Sequence, residues 1–233
     1  MSMPDVLGPL ALDAVAAAVR RALDEIDRDS PNALSLIENP VARAFVTHMA
    51  AHHGAKVRVK SDLAMRAVAA AFDVGRAFGA ALPDGGEFME HFATTVGAEI
   101  FLPESMLSGD VRALMVVVTH ECEHVWQFQR GGIAMPWFYL MEPESRASLE
   151  ADAYAAGVTV GNWLGLPRPE RPEDAAPRLA NSYHLRQDDV RLATGMLASA
   201  IASVSQGAVT TIAARGAIDW LMANATALGP AAV

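Results

Sequence analysis

The sequence contains a single cysteine, Cys122, and this scarcity excludes two kinds of architecture. An internal disulfide framework needs pairs of cysteines, and zinc sites of the Cys₄ or Cys₂His₂ type need at least two. Basic residues are also few, since 18 Lys and Arg stand against 27 Asp and Glu and give a formal net charge of −9. Because no run of Lys or Arg forms a stripe that could neutralise phosphates, the sequence argues against nucleic acid as a partner.

The first ten residues lack a basic segment followed by an apolar core, so no secretory signal is predicted and a cytoplasmic location is expected. Residues 192–214 carry no charge and are long enough to cross a bilayer. Several Ser and Thr residues, Gln206 and a central Gly207 interrupt their apolar surface. We therefore favour a buried or oligomer-forming helix over a membrane anchor.

Apolar residues make up 52% of the 233-residue chain, enough for one substantial core. Apolar positions mostly recur at helical spacing, and alternating patterns are short. Helices are predicted at residues 10–26, 40–53, 62–78, 111–130, 143–164, 187–206 and 209–227, and strands at residues 56–60 and 94–102. The predicted fold is mainly α with a small β element, an α+β class.

A polar, Pro-rich stretch is the one candidate boundary. We expect residues 1–166 to form one domain, residues 167–186 a linker and residues 187–233 a pair of helices. The pair is rich in Ala, Ser and Gly, which suits close helix packing. It is expected to pack on the same domain or to serve in a homo-oligomer or a larger assembly.

The second predicted strand, residues 94–102, alternates between two faces. The even-numbered residues from Val96 to Leu102 are expected to face the core, and the odd-numbered residues from Thr95 to Phe101 are expected to face outward.

The chemistry-bearing run is His-Glu-Cys-Glu-His at residues 120–124. On a helix, His120 and His124 lie on one face a turn apart, so both imidazoles can reach one ion, and Glu121 is offset by about 100° and can address a bound water. The preceding turns are apolar all round, as in a buried helix. Because burying polar groups without partners is costly, a metal ion is the interpretation that accounts for them.

This run resembles the zincin metallopeptidases, in particular the gluzincin branch, and residues 150–155, Glu-Ala-Asp-Ala-Tyr-Ala, extend the resemblance. It covers residues 94–157 and implies a Zn²⁺ site in which Glu150 is the third ligand, with Asp152 and Glu144 as alternatives. Gluzincins often carry an aspartate four residues after that ligand, but Tyr154 stands there. The group that orients the histidines is therefore unassigned.

The resemblance further implies hydrolysis of a peptide or protein substrate, held by main-chain pairing along an edge strand at residues 94–102. Glu121 would take a proton from the metal-activated water and return it to the leaving amine. A donor to the oxyanion is also needed. Tyr154, Tyr139, Tyr183 and His184 are candidates, and His184 is preferred.

Other clusters are given structural interpretations. His48, His52 and His53 are expected to form a partly buried helix-end group, since no acidic residue stands beside them as Glu121 does beside His120. Cys122 is expected to be a packing residue. An aromatic group could line a pocket or fill the core; it comprises Trp126, Trp137, Phe138 and Tyr139.

The leading functional hypothesis is a zinc metallopeptidase. Two alternatives remain open: a non-catalytic, zinc-stabilised module for assembly or binding, and a membrane-associated peptidase anchored by residues 192–214.

Overall fold

The structure is a computed structural model that describes residues 32–60, 93–132, 135, 138–139, 142–167 and 187–228. Within these ranges the chain is mainly helical with one small sheet, as predicted. The helices are α1 (Pro40–His53), α2 (Glu104–Leu107), α3 (Val111–Gly131), α4 (Pro143–Trp163), α5 (Gln187–Ser205) and α6 (Ile212–Ala223). The strands are β1 (Lys56–Val59), β2 (Thr94–Val96) and β3 (Glu99–Leu102).

Two predicted helices, at residues 10–26 and 62–78, lie outside the described residues, as does the predicted linker except for its first residue. The helices that are described follow their local signals. Asn39 caps α1 with its side chain, and Gly54, in the left-handed region at φ 64°, ends it. The Asp110 carboxylate caps α3 by accepting a hydrogen bond from the Arg112 amide at 2.7 Å.

The single strand predicted at residues 94–102 is wrong, because these residues form a hairpin. β2 and β3 run antiparallel, and Gly97 lies in the turn between them with φ 65°. Glycine adopts positive φ without steric cost, so the chain reverses there. Thr95 consequently pairs with Ile100 on one face, and Phe101 is fully buried rather than open. β1 pairs in parallel with the other side of β3.

Helix α3 is the centre of the fold and packs against α1, α4, α6 and the hairpin. Its apolar residues join those of the neighbouring helices and strands in one buried cluster. Gly157 lets α4 approach closely, since a Cβ at that position would lie 3.2 Å from Cγ1 of Val116. The close crossing of α3 and α4 positions the side chains described below.

The uncharged run at residues 192–214 is not one continuous helix. Helix α5 ends at Ser205, and Gly207 follows at φ 84°. The Thr211 hydroxyl then caps α6 by accepting from the Ala214 amide at 3.3 Å, so this helix begins at Ile212 rather than at Val209 as predicted. Among the described residues, no helix has both the length and the apolar character needed to cross a membrane.

Glu123 joins α3 to α6. Its buried carboxylate accepts a hydrogen bond from the Ala213 amide at 2.9 Å, and the Thr211 side chain also hydrogen-bonds to it. The first amides of a helix have no partner within the helix, and a negative charge there is favourable. Burial nevertheless raises the pKa of Glu123. The glutamate before His124 therefore has a structural role, away from the face that carries the histidines.

Replacing Glu123 with alanine is expected to lower the free energy of unfolding by about 1–3 kcal/mol, because the Ala213 amide is buried and loses its acceptor. Urea denaturation of the variant and of wild type measures the difference. Asp219→Ala, at an exposed position on α6, is the matched control and should change stability by less than about 0.5 kcal/mol. Equal losses in the two variants would contradict the capping role.

Candidate metal centre

Helix α3 brings two imidazoles together. His120 and His124 lie one turn apart, and their Nε2 atoms are 3.2 Å from each other. The rings meet edge to face, with centroids 4.9 Å apart. Their side chains are 16% and 8% exposed, so this pair lies at the edge of the buried interior.

Helix α4 contributes a carboxylate to the same point. Glu150 Oε2 lies 3.6 Å from Nε2 of His120, and Oε1 lies 3.5 Å from Nε2 of His124. The Glu150 side chain is only 1% exposed. One ligand atom from each of the three residues lies within 4.8 Å of the others, and no comparable group occurs elsewhere in the described residues. This trio could hold a metal ion.

A cation fits the chemistry of the trio. Glu150 Oε2 is buried and has no hydrogen-bond partner, although buried polar atoms almost always have one. A cation between this oxygen and the two Nε2 atoms would satisfy all three donor atoms. Two imidazole nitrogens and a carboxylate oxygen form a mixed set that suits divalent transition metals.

Gln127 sets the tautomer of His124. The Gln127 amide nitrogen donates to the main-chain carbonyl of Leu149 at 3.0 Å, so its oxygen faces Nδ1 of His124 at 2.8 Å. An amide oxygen can only accept, and Nδ1 therefore carries the hydrogen. Once Nε2 loses its proton on metal binding, the ring offers the Nε2 lone pair to the space between Glu150 and His120. Outer partners of this kind orient metal-binding histidines.

If the trio binds a divalent metal such as zinc, replacing Gln127 with alanine is expected to weaken that affinity by about 10–100-fold, because His124 loses the acceptor that holds its ring and tautomer. Competition with a chromophoric chelator measures the affinity. Gln129→Ala, two residues further along α3, removes a hydrogen bond to the His53 carbonyl instead and should bind zinc as wild type does. Equal affinity in both variants would remove Gln127 from the site.

Charges within the trio shift the pKa of each of its residues. Burial opposes ionisation of Glu150, but His124 and His120 outweigh it and lower its pKa to about 2. Burial and the neighbouring His124 lower the pKa of His120 to about 4. Burial also opposes charge on His124, yet Glu150 raises its pKa to about 9. A metal ion that binds here would therefore displace a proton from His124.

Glu121 is a second buried carboxylate next to the trio. Its Oε2 accepts a hydrogen bond of 2.7 Å from the Thr95 hydroxyl of β2. Burial is the main cause that raises its pKa, and the charges of His124 and Lys60 act in the opposite direction. A carboxylate that is held in place and has a raised pKa can accept and return a proton near neutral pH.

Two tyrosines lie against the histidines. The Tyr139 hydroxyl donates to Glu150 Oε1 at 2.5 Å, so this phenol holds the carboxylate. The Tyr154 ring meets His120 edge to face at 5.1 Å. Tyr183 and the preferred oxyanion donor, His184, lie outside the described residues.

The alternative ligands do not join the group. Asp152 and Glu144 have exposed side chains, and Asp152 acts electrostatically on Glu123 rather than on the histidines. Cys122 is fully buried, as expected of a packing residue, and burial raises the pKa of its thiol.

The other predicted cluster is present at the end of α1. The rings of His48 and His52 stack at 5.7 Å, and His53 meets His52 edge to face. His53 is buried, and burial lowers its pKa to about 4. In the aromatic group, Phe138 is 40% exposed, and the Arg130 guanidinium lies over the Trp126 ring. Trp137 lies outside the described residues.

Sequence reasoning missed Gln127, Thr95 and Arg146. Gln127 had a signal, since it stands three residues after His124 and so on a neighbouring position of the same helix face. The role of Thr95 could be predicted only with knowledge of the hairpin. Arg146 stands four residues before Glu150 and its side chain is buried, whereas a helix arginine is normally expected at the surface.

Comparison with known proteins adds no relative: no family model matches the chain, and no curated protein or solved structure is similar enough to count as a match.

Proposed function

We propose that this chain is a zinc metallopeptidase of the HExxH type, similar to the zincins, with His120, His124 and Glu150 as ligands and Glu121 as general base. The observation that carries the proposal is the convergence of His120, His124 and Glu150, whose buried Oε2 has no hydrogen-bond partner. The resemblance of the sequence to gluzincins implies the same three ligands.

Zinc is the proposed metal because of the types of donor atom and the number of protein ligands. Imidazole nitrogen and carboxylate oxygen are usual zinc donors, and catalytic zinc sites use three protein ligands and leave one position open. The candidate site offers three such ligands in the described part of the chain. The 16% exposure of the His120 side chain supports access from solvent.

When bound, the ion supplies Lewis acidity, which lowers the pKa of a water toward about 7 and polarises a substrate carbonyl. The residues of the chain provide the proton transfers. Glu121 accepts the proton of the attacking water and returns it to the leaving amine, and the Thr95 hydroxyl holds its carboxylate in position. Tyr154, beside His120, is the proposed oxyanion donor within the described residues, and His184 stays a second candidate.

A peptide is the proposed substrate because an edge strand, with no further strand beside it in the described residues, lies next to the trio. β2 is one of the two outer strands of the sheet in the described part of the chain, and it contacts α3. Thr95 of this strand reaches Glu121 directly. An extended peptide that pairs with β2 would therefore run past the general base, with little demand on its side chains.

The test is hydrolysis by protein of defined metal content. Protein stripped with a chelator, with and without one equivalent of Zn²⁺ restored, is incubated with a mixture of unstructured peptides. New termini are then sought by mass spectrometry. Cleavage only in the zinc-restored sample is expected. Bound zinc without any cleavage would contradict the peptidase proposal and favour the zinc-stabilised module.

A further inference from the structure

Arg146 is a buried cation close to the trio. Its side chain is 2% exposed, and it is the largest of the fully buried side chains in the described residues. It stands one turn before Glu150 on α4. A buried charge is costly unless other groups compensate it, so its partners indicate what it does.

One side of Arg146 faces the residue that holds Glu150. Nη1 of Arg146 donates to the main-chain carbonyl of Tyr139 at 3.4 Å. The hydroxyl of the same tyrosine donates to Glu150 Oε1. Arg146 therefore holds the backbone of Tyr139, whose phenol holds a proposed zinc ligand.

Helix α5, the first of the two C-terminal helices, supplies an opposite charge. Asp189 lies in its first turn and is 4% exposed. Burial lowers the pKa of Arg146, and Tyr139, Glu150 and Asp189 act electrostatically against that shift. Helix α5 packs extensively along α4. Apolar side chains surround the contact of these helices; the buried ones are Ala147, Ala151, Ala193 and Leu197.

We propose that Arg146 and Asp189 are positioning residues through which helix α5 holds Tyr139 and Glu150 in place for the metal. The proposal rests on the proposed function, since it assumes that the trio binds zinc. It makes α5 part of the metal site, although this helix lies outside both the HExxH run and the segment around Glu150.

Zinc affinity of variants tests the proposal. Asp189→Asn is expected to bind zinc more weakly than wild type, by at most the roughly 10–100-fold that direct partners of metal ligands contribute, since Asp189 acts through Arg146 and Tyr139. Asp188→Asn is the matched control, since Asp188 is the preceding residue, has a side chain 87% exposed and pairs only with Arg191 at 3.3 Å in the described ion pairs. It should bind zinc as wild type does.

A merely structural role would lower the melting temperature of the Asp189→Asn apoprotein and leave its zinc affinity unchanged. That result would overturn the proposal while wild-type zinc binding, measured in parallel, still supports the proposed function. Failure of wild type to bind zinc would overturn both. If Asp189→Asn does not fold, the double variant Arg146→Met/Asp189→Leu replaces both charges with apolar groups, a change that buried ion pairs often tolerate. Weakened zinc binding by the folded double variant supports the proposal, and wild-type affinity overturns it.

A double-mutant cycle tests the route through Tyr139. If Asp189 acts through Arg146 and Tyr139, Asp189→Asn should weaken zinc binding less in a Tyr139→Phe background than in wild type. Additive effects would overturn this route.

Discussion

Replacing Glu121 with glutamine is expected to lower kcat/KM for peptide hydrolysis by about 10²–10⁴-fold and to leave zinc content unchanged. Glutamine keeps the shape of the side chain and an oxygen that can accept from the Thr95 hydroxyl, but it cannot take a proton from water. The expected result is therefore a folded, zinc-loaded protein without turnover, measured by peptide cleavage and metal analysis of one preparation.

The matched control for this variant is Glu123→Gln. Glu123 is also a buried glutamate of the same run, but its carboxylate caps α6, and a glutamine oxygen can still accept from the Ala213 amide. It should retain activity. Activity retained in Glu121→Gln, or lost equally in both variants, would remove Glu121 from the proposed role.

The proposed metal centre predicts that chelation destabilises the protein strongly. Without a cation, Glu150 Oε2 is left buried and without a hydrogen-bond partner. If the free zinc concentration exceeds the dissociation constant of the zinc–protein complex about a thousandfold, zinc binding adds about 4.1 kcal/mol to the free energy of unfolding. At about 2–4 °C per kcal/mol for a chain of this length, the melting temperature should fall by about 8–16 °C after chelation.

Calorimetry with and without chelator, followed by restored Zn²⁺, measures this shift. Glu150→Gln is the control, since it lacks the carboxylate ligand and its melting temperature should respond little to either treatment. A wild-type melting temperature that does not change on chelation would show that the trio does not bind a metal of structural consequence.

The ends of α1 and α3 could be predicted because their signals are local. Gly54 ends α1, and Asp110 caps α3 through its own side chain. The hairpin could not be predicted from the alternation of residue types. Gly97, at positive φ, reverses the direction of the chain but leaves that alternation unchanged. The run at residues 192–214 likewise hides its break, which depends on Gly207 and the Thr211 cap.

The pairing of His120 and His124 could also be predicted from a local pattern, since helical spacing alone brings them together. Glu150 followed from resemblance, and no spacing rule places it against the histidines. The groups that hold the side chains of the site could not be inferred, because their contacts involve other elements. Gln127 orients His124 only through the Leu149 carbonyl of α4, and Thr95 reaches Glu121 only because the hairpin turns. A cytoplasmic location and self-association through the C-terminal helices stay predictions.

The most direct test of the metal centre is metal analysis combined with X-ray absorption at the zinc edge on the purified wild-type protein. One zinc per chain is predicted, with two imidazole nitrogens and a carboxylate oxygen at about 2.0–2.2 Å. A His120→Ala/His124→Ala variant that retains the same zinc content, or a wild-type spectrum without imidazole ligands, would contradict it.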